Sequence, residues 1–138
     1  MKLKLAALAV AATFSLSAQA LTEIQWWHSM TAVNGEWVND LAKEFNASQK
    51  DYKIVPTYKG SYDESMTAAI AAFRAGNAPH ILQVFEVGTA TMMASKGAIV
   101  PVGKVMADAG QKFDPKIYVP AVAGYYTAPN GQMLSFPF

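Results

Sequence analysis

Three short segments carry the side chains best suited to hold a small polar molecule: Trp27-His28-Ser29, Lys59-Gly60-Ser61-Tyr62 and Phe85-Glu86. Aromatic ring faces pack against the C–H surface of a ligand, while hydroxyl and carboxylate groups exchange hydrogen bonds with its OH groups. This set of side chains suits a small polyhydroxylated ligand. We take Tyr62 and Glu86 as the candidate ligand-binding residues, because each lies where a predicted strand gives way to a predicted helix.

Each candidate also has a purely structural interpretation. Tyr62 could be an exposed residue in the first turn of a helix, and Glu86 could be a helix-start carboxylate that accepts hydrogen bonds from backbone N–H groups. His28 fits a loop histidine with its own hydrogen bonds better than it fits a ligand contact. His80 precedes a predicted strand and is expected to be structural.

The sequence argues against an enzyme. It contains no G-x-S-x-G motif, no H-E-x-x-H motif and no glycine-rich phosphate loop. Two histidines and no cysteine argue against a zinc site, and no other metal or cofactor is indicated. A secreted glycoside hydrolase is the rival from a different class, because Glu86 and Asp63 could supply its two facing carboxylates.

The spacing of apolar residues predicts the elements that position these side chains. Alternating polarity over residues 22–27 predicts a first strand, and Asn34 is expected to cap the helix that follows. Residues 52–55 begin a second strand, which Pro56 confines to an edge or a bend. The predicted buried face of the first helix consists of apolar residues at helical spacing: Trp37, Val38, Leu41 and Phe45.

The second helix has a clear start and end. Ser61 and Glu64 have the spacing of a capping box, in which each side chain satisfies a free backbone N–H group of the other residue. We expect this helix to end at Gly76 or soon after it. The residues that we expect the helix to bury are Met66, Ile70 and Phe73.

The remaining elements complete an α/β layer. Residues 81–85 predict a third strand covered on both faces, followed by a helix over residues 89–96. Asp114-Pro115 begins a short helix, and residues 129–131 form a hairpin turn. Strands that alternate with helices predict a βαβαβ core with right-handed crossovers. The candidate side chains would then converge at the carboxyl edge of one sheet.

The first twenty residues have the three parts of a secretory signal peptide. Two lysines precede an apolar run over residues 5–16, and Ala18-Gln19-Ala20 has the small-x-small pattern that signal peptidase requires. The run is shorter than the ~18–20 residues that cross a bilayer. We therefore predict export to the periplasm, with residues 1–20 removed by cleavage before Leu21.

Charge argues against nucleic acid and anionic lipid as partners. Removing Lys2 and Lys4 with the signal peptide from the 11 basic residues leaves nine, against 10 acidic residues, so the formal charge becomes −1. Both kinds of partner require a concentrated basic surface. Residues 21–138 are instead expected to form one globular domain, and the apolar run at residues 133–138 leads us to expect that this domain is incomplete.

Four segments carry a resemblance to a known family: Trp27-His28-Ser29-Met30, residues 51–60 (Asp-Tyr-Lys-Ile-Val-Pro-Thr-Tyr-Lys-Gly), residues 71–79 (Ala-Ala-Phe-Arg-Ala-Gly-Asn-Ala-Pro) and residues 81–96 (Ile-Leu-Gln-Val-Phe-Glu-Val-Gly-Thr-Ala-Thr-Met-Met-Ala-Ser-Lys). From its mature start to Phe138, the chain resembles the periplasmic sn-glycerol-3-phosphate-binding family of ABC importers. That family lies within the wider group of extracellular solute-binding proteins.

The resemblance implies a periplasmic-binding-protein-like lobe of the class II type. Two such lobes, joined by a hinge, would close on the ligand as a monomer and present it to an ABC permease in the inner membrane. The family's ligand-contacting tyrosine and glutamate match Tyr62 and Glu86. Its other contacts, a serine, small residues, a tyrosine and an arginine, would lie beyond Phe138, as would the second lobe. Glycerophosphodiesters are further possible ligands, and a sugar- or polyol-binding protein of the same family is the alternative.

Overall fold

A three-stranded parallel sheet organises residues 21–95 and 97–138, the part of the chain that the computed structural model describes. Its strands are β1 (Thr22–His28), β2 (Tyr52–Tyr58) and β3 (Ile81–Leu82), in the order β2-β1-β3. Helix α1 (Ala32–Ser48) connects β1 to β2, and α2 (Tyr62–Arg74) connects β2 to β3. The predicted α/β class and βαβαβ order are confirmed, whereas the predicted signal peptide lies outside the described residues.

Strand β2 lies at one edge of the sheet, as Pro56 predicted. Pro56 pairs with Trp26 of β1, and its missing N–H is tolerated because no further strand of the described chain pairs on that side. The two strands run in register from Thr22 and Tyr52 to His28 and Tyr58. Their carboxyl ends therefore stop at the same level.

Strand β3 is shorter than the five residues predicted. Gln83 still donates its backbone N–H to the carbonyl of Trp27 at 2.9 Å. The next ladder bond is replaced, because the Ser29 N–H donates to the side-chain Oε1 of Gln83 at 2.9 Å instead of to a backbone carbonyl. The ladder ends there. Ile81 is also 42% exposed, so the expectation that this strand is covered on both faces is wrong for the described chain.

Helix α1 begins two residues before Asn34, so the predicted cap is wrong. Thr31 holds the cap position, without a side-chain hydrogen bond. The predicted buried face is also wrong except at Val38, because the other buried residues of the helix are the small Gly35 and Ala42. A Cβ on Gly35 would lie 3.0 Å from the carbonyl oxygen of Met30. The larger residues of the predicted face remain partly exposed: Trp37, Leu41 and Phe45.

Helix α2 has the predicted start, and it ends at Arg74, two residues before Gly76. The Ser61 N–H donates to Glu64 Oε2 at 2.7 Å, and the Glu64 N–H donates to Ser61 Oγ at 3.4 Å, which completes the capping box. At the other end, Gly76 adopts φ +75° and donates to the carbonyl of Phe73, as in a Schellman motif. The predicted buried face of Met66, Ile70 and Phe73 is wrong. The buried residues are Ser65 and Ala69, one position before Met66 and Ile70, and Phe73 is exposed.

The chain continues through short helices. Helix α3 (Glu86–Met93) begins three residues before the predicted helix, and α4 (Val102–Asp108) follows it. Asp114 caps a single 3₁₀ turn (Pro115–Ile117), as predicted, and α5 (Pro120–Tyr125) comes next. The hairpin around residues 129–131 is confirmed by an antiparallel bridge between Thr127 and Met133. Of the helices in the described residues, none combines the length and apolar character needed to cross a bilayer.

Candidate ligand-binding site

The carboxyl ends of β1 and β3 form the crevice that the topology predicts. In the order β2-β1-β3, the chain leaves β1 towards one side of the sheet and later returns to the other side. The connections after β1 and β3 therefore diverge, which opens a crevice between them. The hydrogen bond from Ser29 N–H to Gln83 Oε1 spans this point. Ser29 Oγ is buried beside it and has no hydrogen-bond partner in the described chain.

Tyr62 lies against the loop that follows β3. Its ring stacks on Phe85, with ring centroids 5.3 Å apart and an interplanar angle of 23°. Tyr62 is the first residue of α2, and Phe85 caps α3 directly before Glu86. The fold therefore brings the first predicted residue, Tyr62, next to the neighbour of the second, Glu86. A strand and a helix separate the two in sequence.

Glu86 occupies the first position of α3 and remains exposed. Phe85 provides no side-chain cap, and the Glu86 carboxylate makes no hydrogen bond within the described residues. The alternative prediction of a carboxylate occupied by helix-start N–H groups is therefore not what the structure shows. The Glu86 backbone is held by the Tyr125 hydroxyl, which donates to its carbonyl oxygen.

Gly88 makes room for the ring that supports Tyr62. A Cβ at this position would lie 2.7 Å from Cε1 of Phe85 and 3.2 Å from Sδ of Met66. The Phe85 ring can therefore fold back over the first turn of α3 only above a glycine. Thr89 adds a second restraint by donating its hydroxyl to the Phe85 carbonyl at 3.1 Å.

A positive charge lies over Trp27 on one face of the sheet. The Lys59 Nζ is 3.9 Å from the centroid of the Trp27 ring, a cation–π geometry. Trp26 points to the opposite face, where its ring meets Phe138 edge-on at 5.7 Å. Neither tryptophan is fully buried. The lysine thus extends along the sheet edge next to the turn that leads to Tyr62.

The two histidines differ in their surroundings. His80 accepts the Gln25 N–H at its Nδ1, at 3.0 Å, which agrees with the predicted structural role. His28 is only 4% exposed, and its Nδ1 accepts the Met30 N–H at 3.3 Å. Burial lowers the pKa of His28, so the ring is neutral at neutral pH.

The crevice contains no metal centre that the described residues could form, since they include no cluster of three or more histidine, cysteine, aspartate or glutamate side chains. Asp63, the proposed partner of Glu86 in a glycosidase, is an exposed residue in the first turn of α2. Gln83 is the residue that sequence reasoning missed. The available signal was one amide side chain inside the otherwise apolar run at residues 81–85.

An apolar groove of about 810 Å³ does not include Tyr62 or Glu86 in its lining. It runs between α2, β3, α3 and α4, and its lining is dominated by large apolar side chains such as Phe73, Ile81, Met92 and Val102. A predominantly apolar surface offers few groups that pair with ligand hydroxyls. The crevice with the exposed Glu86 carboxylate is therefore the better candidate for a polyhydroxylated ligand.

Comparisons with known proteins identify relatives of this chain. The sequence profile described as bacterial extracellular solute-binding protein matches residues 29–138. The sn-glycerol-3-phosphate-binding periplasmic protein UgpB of Yersinia pestis bv. Antiqua (strain Antiqua) is 58% identical over 132 residues, which is 95% of this chain. The proteins of the same name from Brucella abortus (strain 2308) and Rhizobium meliloti (strain 1021) are 54% and 50% identical, each over 94% of this chain. The chain spans 30% of the length of each of these relatives.

Proposed function

Because the chain belongs to the bacterial extracellular solute-binding protein family, we propose that it forms one lobe of a periplasmic receptor for sn-glycerol 3-phosphate. The receptor would capture this ligand without chemical turnover and deliver it to an ABC permease in the inner membrane. Residues 1–20 would direct export and be cleaved before Leu21, leaving residues 21–138 as the amino-terminal lobe. The ligand identity is supported by relatives of that name at 50–58% identity.

The observation that carries the proposal is the convergence of Tyr62 and the Phe85-Glu86 pair at the carboxyl edge of the sheet. The exposed carboxylate of Glu86 would accept hydrogen bonds from the glycerol hydroxyls. The Tyr62 ring, supported by Phe85, would form one wall of the pocket. The proposal is supported by the Glu86 carboxylate, which has no hydrogen-bond partner among the described residues and so would be open to a ligand.

The phosphate would be bound elsewhere. Glu86 repels an anion, so it cannot hold the phosphate directly. An arginine from the second lobe would bind the phosphate, because a guanidinium forms two parallel hydrogen bonds with phosphate oxygens. Closure of the two lobes would then bring the hydroxyl-binding and phosphate-binding groups together around one monomeric receptor.

A chimaera tests this function directly. Residues 1–138 are joined to the remaining part of the Yersinia pestis relative, and binding of sn-glycerol 3-phosphate is measured by calorimetry. The chimaera should bind within about tenfold, or ~1.4 kcal/mol, of the affinity of the intact relative. A folded chimaera that fails to bind sn-glycerol 3-phosphate, or prefers a neutral hexose, would refute the proposed ligand.

A further inference from the structure

The start of α3 depends on other parts of the chain for its position. The helix is eight residues long, and Phe85 caps it without a side-chain hydrogen bond. Helices shorter than about 12–15 residues are marginal in water by themselves, so contacts from other elements must hold this one in place. The Glu86 side chain is exposed and does not anchor the first turn. Whatever fixes the Glu86 backbone therefore decides where the carboxylate lies.

Two contacts hold the chain just before Glu86. The side chain of Gln83 accepts the N–H of the residue that follows β1, at 2.9 Å. The Phe85 carbonyl accepts the Thr89 hydroxyl at 3.1 Å, and the Phe85 ring stacks on Tyr62. These contacts fix the path of the chain up to the cap of α3. Neither of them involves Glu86 itself.

Tyr125 supplies the contact to Glu86. Its hydroxyl donates to the Glu86 carbonyl oxygen, although the two residues are 39 positions apart in the sequence. Tyr125 is the last residue of α5, and its ring meets that of Tyr126 edge-on at 5.1 Å. The Tyr126 carbonyl accepts the Leu134 N–H at 2.9 Å, within the hairpin that follows α5. The hydroxyl of Tyr125 thus links the first turn of α3 to α5 and to this hairpin.

The hydroxyl group distinguishes Tyr125 from a residue that serves only packing. Tyr125 is 52% exposed, so burial of its ring does not account for a tyrosine at this position. A phenol has one proton to donate, and here it is donated to a backbone carbonyl. Substitution of the Glu86 side chain leaves that carbonyl in place. The contact of Tyr125 and the carboxylate of Glu86 can therefore be removed separately.

We propose that Tyr125 is a positioning residue for Glu86, which fixes the first turn of α3 so that the carboxylate is presented to the ligand. This inference rests on the proposed function, in which the Glu86 carboxylate accepts hydrogen bonds from the glycerol hydroxyls. Tyr125 does not touch the ligand in this arrangement. It acts through the backbone of Glu86.

Nuclear magnetic resonance of the ¹³C,¹⁵N-labelled chain tests the positioning without any ligand. Tyr125→Phe deletes the hydroxyl and keeps the ring, so the carbonyl ¹³C signal of Glu86 should shift and the amide order parameters of Glu86 and Val87 should fall. Tyr126→Phe is the matched control, because the hydroxyl of Tyr126 makes no hydrogen bond among the described residues, and it should change neither quantity. Unchanged order parameters in Tyr125→Phe, or an equal fall in the control, would overturn the proposal.

Affinity in the chimaera tests the consequence for binding. Tyr125→Phe should weaken the binding of sn-glycerol 3-phosphate by about three- to tenfold, the range expected for the loss of one neutral hydrogen bond, and Tyr126→Phe should leave it unchanged. In a Glu86→Ala background, Tyr125→Phe should cause no further loss, because the interaction that it positions is already absent. Additive losses would show that Tyr125 acts independently of Glu86 and would overturn the proposal. A parent chimaera that does not bind would refute the proposed ligand, whereas the order parameters decide the role of Tyr125 independently.

Discussion

Gly88 tests whether packing beneath Phe85 positions Tyr62. The change Gly88→Ala adds one methyl group at a helical position, where a Cβ would meet Cε1 of Phe85 at 2.7 Å. The ring cannot easily move away, because Tyr62 stacks on it at 5.3 Å. Met66 Sδ, at 3.2 Å from the same Cβ position, limits the alternative movement of the helix.

Two opposing free-energy terms determine the result. Alanine is favoured over glycine in a helix interior by about 1 kcal/mol. Overpacking by an extra methyl group costs about 1–3 kcal/mol, and the short distance to an aromatic ring places this case in the upper half of that range. Gly88→Ala should therefore be destabilising by about 1–2 kcal/mol, which lowers Tm by about 3–10 °C for a domain of this size.

Gly124 provides the matched control, because it is also helical and a Cβ there would meet nothing within 4 Å. Gly124→Ala should keep Tm or raise it by up to ~3 °C. Thermal unfolding by circular dichroism gives both values. The ring-proton shifts of Tyr62 report separately whether Phe85 still stacks on it.

A Gly88→Ala variant at least as stable as the parent, with unchanged Tyr62 ring shifts, would refute this reasoning. It would mean that the Phe85 ring does not require the space above Gly88. A loss of stability with unchanged Tyr62 shifts would separate the two effects and remove the argument that this contact positions Tyr62.

Three other predictions concern the cap, the ligand and the lobe. Hydrogen bonds from the Ser61 backbone N–H and then from its hydroxyl lower the pKa of Glu64 below 4.5. The charged cap therefore stabilises α2 above about pH 4.5 and loses this effect as pH falls through the lowered pKa. The Tm difference between the parent and Glu64→Gln should shrink at about pH 3, and a constant difference would contradict this. In the chimaera, Glu86→Gln should weaken the binding of sn-glycerol 3-phosphate at least tenfold (~1.4 kcal/mol). Unchanged affinity and ligand choice would exclude Glu86 as a contact. The chain alone should bind this ligand weakly or not at all, and micromolar binding by calorimetry would contradict this. It should also bind an apolar dye through the groove containing Phe73, and a monomer that binds no dye would contradict that expectation.

Features that depend on neighbouring residues could be predicted. The capping box of Ser61 and Glu64, the turn at Gly76 and the cap at Asp114 all formed where their spacing indicated. In each case the hydrogen-bond partners are within a few residues of one another. Little outside the segment can change such an arrangement.

The convergence of Tyr62 with Phe85 and Glu86 was also accessible, since parallel strands place their carboxyl ends at one edge. Its functional meaning is a different matter. The roles of Tyr62 and Glu86 as ligand contacts stay predictions, because proximity at a sheet edge does not by itself identify what they bind.

The sequence by itself determined the α/β class, the βαβαβ order and the caps at Ser61 and Asp114, because periodicity and short-range hydrogen bonds depend on residues close in the chain. Only the tertiary structure decided that α1 buries Gly35 and Ala42 in place of Trp37. It also decided that the Gln83 side chain accepts the Ser29 N–H at the end of β3 and that His28 is buried at the end of β1. These outcomes depend on how closely segments distant in sequence approach one another, and a small side chain can win a buried position because it allows a closer approach.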